Sequence, residues 1–422
     1  MNFMKRSFKN FGIGFLAEIL NMVTALFTSF YLTKKIGIEV YGEIVLINVI
    51  IGSITTFLSF SPSEALVKFL KKFEGQLEIK RLIILLNLIF VLFCALLVFI
   101  LVYFFGTTIS IFFSRENLTE SLLLCSFIFF TNLFLGIFIG FFQSYERFFS
   151  FYFYQILSNT LKIILLLILV NQGLIIESKD VFTLYLNITI FITLIAFIEF
   201  SFFYVKEIGF GKIFFRKLII KDFINFILKS FTIASLKSIN AKSTELLIGY
   251  YGSDSTLGIF NLIKKYAFSI SQLSTVFATR YYPLFMELKN LNNLRGIKDI
   301  IIKSLIFIIS AYFVFVILTI LFWEQISIYF EINQIGFYLI LVSISTALIS
   351  TSLWWVKIFS YSININYSII ANSFKLFLIL LFTPFLVNSF NLIGGLISEL
   401  IIVLLLSFYW LYIFIKSNHE TN

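Results

Sequence analysis

The chain reads as an all-α polytopic membrane protein, with about 12 transmembrane helices in two six-helix bundles around a central cavity. Three observations carry this. The 422 residues are 60% hydrophobic and 13% charged, with a mean hydropathy of +1.00, against roughly 25% charged in a soluble domain. Apolar runs of about 20 residues, the length that crosses a bilayer, recur along the whole chain. Only three prolines (Pro62, Pro283, Pro384) interrupt it, and 58 phenylalanines exceed what a soluble core could bury.

Polar or charged breaks separate candidate spans at about 11–33, 42–62, 82–105, 119–142, 151–172, 181–205, 223–251, 256–282, 304–323, 336–356, 361–387 and 392–415. The seventh is unusually polar, and the tenth and eleventh have the weakest separation. All four tryptophans (Trp323, Trp354, Trp355, Trp410) fall near span ends, where an aromatic belt places them. The basic N-terminus lacks a small-residue cleavage site after its apolar run, so that run reads as the first span and not as a removed signal peptide. Domains follow as 1–205, an N-terminal six-helix bundle; 206–222, a basic cytoplasmic linker; and 223–422, a C-terminal six-helix bundle.

Lysine and arginine fix the orientation. With the N-terminus inside, inner segments hold 20 of them and outer loops four (Lys34, Lys35, Arg115, Lys179), the rest lying within spans. Positive loops stay inside, so both termini are expected in the cytoplasm. The net charge of +10 is thus a property of inner loops, and nucleic acid is not an expected partner. Cys94 and Cys125 lie inside apolar runs, and the one histidine, His419, sits in the polar tail; neither a disulfide framework nor a metal site is implied.

The longest outer loop, 106–118, has 13 residues, too short to house an active site. Phosphate-binding glycine loops followed by lysine, HExxH and the nucleophile elbow are all missing. No catalytic residue, cofactor or metal is assigned, and the chain is not expected to be an enzyme.

Charged residues deep in a bilayer cost several kcal/mol on a lone helix, so they turn toward protein or water. The deep cations are Lys162, Lys237, Lys242, Lys264, Lys265 and Lys375; the deep anions are Glu18, Glu245 and Glu399. Lys229, Arg280 and Glu199 lie near enough to the inner face to snorkel. Six against three leaves a positive surplus, which suits an anionic substrate. In span seven, Ser230, Lys237, Asn240, Ala241 and Thr244 share one helical face, with Glu245 at its edge and Lys242 three residues before it. That face is either a cavity wall or an internal polar network with a Lys242–Glu245 pair. Lys264 and Lys265 point about 100° apart, and the sequence does not choose between them. Lys237, Asn240, Lys242, Thr244, Lys264 and Lys265 are therefore the candidate substrate-binding residues. Glu18 and Glu245 are candidates for ion coupling, with a structural role as partner to a lysine equally open.

The two halves carry matched turns. Ile36-Gly37-Ile38-Glu39-Val40-Tyr41-Gly42 follows span one, and Tyr251-Gly252-Ser253-Asp254-Ser255-Thr256-Leu257-Gly258 follows span seven: a glycine, a short polar turn, a second glycine and a new helix. The six-span period keeps both halves in one orientation, as in parallel-repeat transporters. The stretches Leu32–Gly37 through Tyr41-Gly42, Glu245–Gly252 through Leu257–Asn261, and Arg280-Tyr281-Tyr282-Pro283 resemble those of Wzx-type polysaccharide flippases, which are related to multidrug MATE exporters. One departure is Glu245, where the family often has Asp. The resemblance implies a bacterial inner-membrane flippase moving a polyprenyl-pyrophosphate-linked oligosaccharide outward, surrounded by membrane lipids and working beside the polymerase and chain-length proteins of its pathway. A MATE-like drug antiporter, expected to favour an acidic cavity, and an oligosaccharide polymerase are the rival readings.

Reporter fusions after residues 75, 215 and 292 should behave as cytoplasmic and those after 112 and 330 as external; a consistent reversal would overturn the charge-based orientation.

Overall fold

The computed structural model describes residues 2–56, 62–115, 118–145, 147–271, 294–330, 334–363 and 365–419. No strand occurs among the described residues. The helices are α1 (Asn2–Ile36), α2 (Ile38–Thr56), α3 (Pro62–Lys72), α4 (Leu77–Phe112), α5 (Leu118–Ser144), α6 (Phe148–Asn171), α7 (Ser178–Glu207), α8 (Lys217–Tyr251), α9 (Asp254–Phe268), α10 (Leu294–Leu321), α11 (Trp323–Phe330), α12 (Gln334–Ile363) and α13 (Ile365–His419). Eight helical segments among the described residues are long and apolar enough to cross a membrane. The expected Pro283 end of span eight, with Arg280, lies outside the described residues.

α13 covers the eleventh and twelfth predicted spans. Asn391 leaves helical geometry (φ 48°, ψ −124°), and the chain folds back there. Thr383 Oγ1 donates to Ser398 Oγ (3.3 Å) and the Tyr409 hydroxyl to the Tyr367 carbonyl (3.1 Å); on a straight helix the second pair would be about 63 Å apart. The arms bury Leu378, Ile379, Ile402, Val403, Leu406 and Trp410 together. Lipid is as apolar as these side chains, so close packing and buried hydrogen bonds hold such arms. Large apolar residues such as Phe104, Phe313, Phe385 and Phe408 are exposed, leaving them to lipid.

Contacts divide the chain into two compact units, Met1–Leu46 with Ser243–Asn422, and Ile47–Lys242. The division runs through α2 and α8.

In the unit Ile47–Lys242, α5 packs on α4, α6 and α7, and α3 lies on α4 and α5. The segment read from sequence as an inner loop is thus partly helical. Pro62 occupies the first position of α3, where its missing N–H costs nothing. Ala65, Leu66, Phe69 and Leu70 are buried, while Lys71 and Lys72 end the helix. Phe69 meets Phe223 and Phe226 of α8 edge-on (5.4 and 6.0 Å). Arg81 of α4 closes the end of α7: its guanidinium donates to the carbonyls of Ile208 (2.9 Å), Gly209 (2.9 Å) and Lys212 (3.2 Å). A fixed cation there offsets the negative end of the helix. Lys80 donates to the Tyr145 hydroxyl (3.3 Å). Burial, with Glu207 and Glu74 adding to it, pushes that phenol up to about 12, so it stays neutral at physiological pH.

In the other unit, α1 ends at Gly37, whose φ of +93° strongly favours glycine. The chain reverses into α2, and the two matched turns of the sequence meet. A Cβ at Gly42 would run into the carbonyl of Asp254, and one at Gly258 would lie 2.8 Å from the carbonyl of Ile38. The contact is reciprocal: each glycine sits four residues after the residue that its counterpart touches. Absent side chains let the two backbones approach, as small residues do at membrane helix crossings.

Gly42→Ala and Gly258→Ala should each lower the melting temperature of the purified protein, by the equivalent of at least about 1–3 kcal/mol for forced overpacking. Gly136→Ala, in open space on α5, should leave it unchanged or slightly raised. Equal effects at the three positions would refute the close crossing.

Candidate functional site

The glycine crossing brings α2 and α9 together, and Tyr41 and Asn261 stand beside it. On α9, Asn261, Lys264 and Lys265 occupy positions i, i+3 and i+4. They form one stripe in which the lysines lean to opposite sides of the asparagine. A continuous polar chain results.

Lys265 Nζ donates to Ser29 Oγ of α1 (2.8 Å) and to the Tyr41 hydroxyl (3.1 Å). Tyr41 donates to Asn261 Oδ1 (2.9 Å), and Asn261 Nδ2 donates to Glu245 Oε1 of α8 (3.4 Å). The same Glu245 oxygen lies 3.6 Å from Lys264 Nζ, whose ammonium also donates to Glu399 Oε1 of α13 at 2.8 Å. Lys375 lies on the first arm of α13. Tyr41, Asn261 and Glu245 are buried.

Electrostatically, Lys264 bridges Glu245 and Glu399, one cation between two anions. A lone carboxylate or ammonium at this depth would cost several kcal/mol, and mutual pairing offsets much of it. The chain is also directional: from Lys265 through Tyr41 and Asn261 to Glu245, each group donates to the next. It can hold a positive charge at either end and, with Ser29 and Glu399, links five helices within this unit, α1, α2, α8, α9 and α13.

Lys264 and Lys265, between which the sequence did not choose, thus take different roles: one between carboxylates, the other against hydroxyls. Glu245 meets Lys264, whereas the sequence offered Lys242 as its partner in the structural reading. Thr244 and Asn240 are buried. Lys242 is half-buried, its stem passing Gly52 so closely that a Cβ there would lie 3.3 Å from Cε. Lys237 lies on α8 and Glu18 on α1, but their side chains, with that of Lys229, lie outside the described residues. Lys162 sits over the Tyr185 ring, 5.3 Å from its centroid.

Sequence reasoning missed Ser29, Tyr41, Asn261 and the role of Glu399. Tyr41 and Asn261 lie in the very stretches that carried the family resemblance, and the i, i+3, i+4 spacing from Asn261 was the available signal. Glu199, read as snorkelling, instead accepts from Ser150 (2.7 Å) and from the Tyr154 hydroxyl of α6.

The family model described as "Polysaccharide biosynthesis protein" matches residues 7–289. The chain belongs to this polysaccharide biosynthesis protein family. No curated protein sequence matches it. Three solved structures show how far the fold of this family member is shared. One is the inward-facing conformation of a multidrug resistance MATE family transporter of the MOP superfamily (TM-score 0.75, 14% identity, 96% of this chain and 94% of that one). Another is the MATE multidrug transporter DinF-BH in complex with R6G (0.69, 13%, 98% and 95%). The third, a MOP superfamily transporter from Pyrococcus furiosus, is described as having a binding pocket of reverse polarity that suggests a different function (0.66, 14%, 98% and 95%). The family member is therefore a multi-pass membrane protein with a MATE-like fold.

Lys264→Met should destabilise the protein by about 3–5 kcal/mol, because Glu245 and Glu399 lose the cation between them. Adding Glu245→Gln and Glu399→Gln should recover most of the loss. Thermal unfolding of the single and triple variants reads this out, and a triple variant no better than the single one would break the pairing argument.

Proposed function

We propose that the protein is a flippase that carries a polyprenyl-pyrophosphate-linked oligosaccharide, an O-antigen, capsule or exopolysaccharide repeat unit, from the cytoplasmic to the outer face of a bacterial inner membrane. Its termini are cytoplasmic, and two six-helix halves work by alternating access around a central cationic cavity. The observation that carries this reading is the excess of deep lysines in a member of the polysaccharide biosynthesis protein family. With Lys264 between Glu245 and Glu399, the remaining deep lysines are Lys162, Lys237, Lys242, Lys265 and Lys375, against Glu18. An ammonium is a compact charge with rotatable donors, suited to holding a pyrophosphate and releasing it again. Lys237, Asn240, Lys242 and Thr244 are the substrate-binding residues of span seven in this proposal, Lys265 adds positive charge, and Lys264 tunes the carboxylates. Glu245 and Glu18 are the coupling residues.

The likeness to multidrug MATE structures supports a second reading, a drug antiporter. A cationic drug would gain nothing from surplus lysines, so the lipid-linked sugar is favoured. The reaction needs no covalent step and no catalytic group.

Deletion should make lipid-linked repeat units accumulate inside the cell and remove surface polysaccharide, without altering drug sensitivity. In the complemented strain, Lys237→Arg should keep partial export, whereas Lys237→Ala and Lys237→Glu should abolish it with the protein still inserted. An abundant, fully active Lys237→Ala protein would sink the assignment of that residue; unchanged polysaccharide with drug hypersensitivity on deletion would replace the flippase with the antiporter.

A further inference from the structure

A second site opens at the C-terminal end of α1, along the stretch that also carries Ser29. Its cavity of about 620 Å³ is enclosed by α1, α9 and α11 of one unit. The walls are apolar and aromatic: Phe27, Phe30 and Tyr31 from α1, Tyr266 from α9, and Ile326 from α11. The remaining lining residues are Lys34, Lys35 and Gln325, so the polar groups gather where α1 ends. From Phe27 to Lys35 the helix rises about 12 Å, so α1 lends the cavity both an aromatic wall and its two terminal lysines. The wall is shaped by stacking. Phe27 and Tyr31 lie nearly parallel at 5.8 Å, and Tyr266 packs on Phe315 at 4.8 Å while its hydroxyl pairs with Thr319 (2.9 Å). Tyr266 therefore offers the cavity a ring more than a hydrogen bond. Trp323 opens α11 two residues before Gln325, and tryptophan at a helix end marks the level where bilayer meets water.

We propose that this cavity binds an anionic glycerophospholipid of the membrane, its phosphate at Lys34 and Lys35 and its acyl chains along the aromatic wall. Charge complementarity identifies the head group: two adjacent ammonium groups meet one phosphate diester, and Gln325 can donate to a phosphate oxygen. The lining argues against the sugar of a lipid-linked oligosaccharide, which would need many donors and acceptors where five of eight residues are apolar or aromatic. Both lysines also sit in the last turn of α1, where they complement the helix dipole. That role is compatible with the proposed one, since a phosphate adds a counter-charge to a cationic helix end.

The test is native mass spectrometry of the full-length protein, released from detergent micelles after titration with phosphatidylglycerol, phosphatidylethanolamine or diacylglycerol. The wild type should retain one phosphatidylglycerol in preference to phosphatidylethanolamine and should not retain diacylglycerol. Each lysine near a membrane surface is worth about fivefold in binding an anionic lipid, so Lys34→Gln with Lys35→Gln should weaken retention roughly 25-fold. Lys71→Gln with Lys72→Gln, at the end of α3, should leave it unchanged. Ile326→Trp, which fills the cavity and keeps both lysines, should also weaken retention, separating a site from general attraction to a basic protein. Inorganic phosphate should not displace the lipid. Undiminished retention in either the Lys34/Lys35 or the Ile326 variant would overturn the proposal, as would equal binding of diacylglycerol or displacement by free phosphate. Displacement by a lipid-linked oligosaccharide would overturn it too, by assigning the cavity to the transported molecule.

Discussion

The close crossing of α2 and α9 at Gly42 and Gly258 is the constraint on which the polar interior of the larger unit depends. Two backbones lie where side chains would ordinarily hold them apart, and that approach sets Tyr41 within 2.9 Å of Asn261. Without it the hydroxyl and the amide would each be buried without the other, at a cost of about 1–3 kcal/mol apiece. The crossing also fixes the face that α9 turns to its neighbours. Lys265 is then directed at Ser29 and Tyr41, and Lys264 at Glu245 and Glu399. A steric feature of two glycines thus becomes an electrostatic arrangement of five helices.

Much of this fold could be read in the sequence because membrane spans are written in composition. Each span must satisfy its backbone internally and present apolar side chains to lipid, so length and hydropathy suffice to find it. The matched Gly37/Gly42 and Gly252/Gly258 turns were likewise visible. That they touch one another was not, because a six-span period gives an orientation and no contact. α3 hid inside a loop for a related reason: its apolar face, Ala65, Leu66, Phe69 and Leu70, is too short to register as a span. The hairpin of α13 was anticipated as two spans, but only the torsion at Asn391 shows where it turns.

The candidate site was less legible. Periodicity could place Lys264 and Lys265 on one helix, yet the partner of a buried charge is set by tertiary packing over long sequence separations. Glu399 lies 135 residues from Lys264 and Ser29 lies 236 from Lys265, and no local pattern encodes such pairs. Counting charges gives a total and says nothing of how the charges are distributed. Glu199 shows the same limit in miniature, since depth alone suggested water where the structure supplies Ser150 and Tyr154.

Lys264 gives the unit a cation that no bath can exchange. A dissolved ion held between two carboxylates occupies its place in proportion to its concentration on either side. An ammonium fixed to α9 by its own side chain has an effective concentration set by the length of that tether. Diluting or replacing the salt around the protein therefore leaves the space between Glu245 and Glu399 filled. A movement of α9 itself is what would empty it.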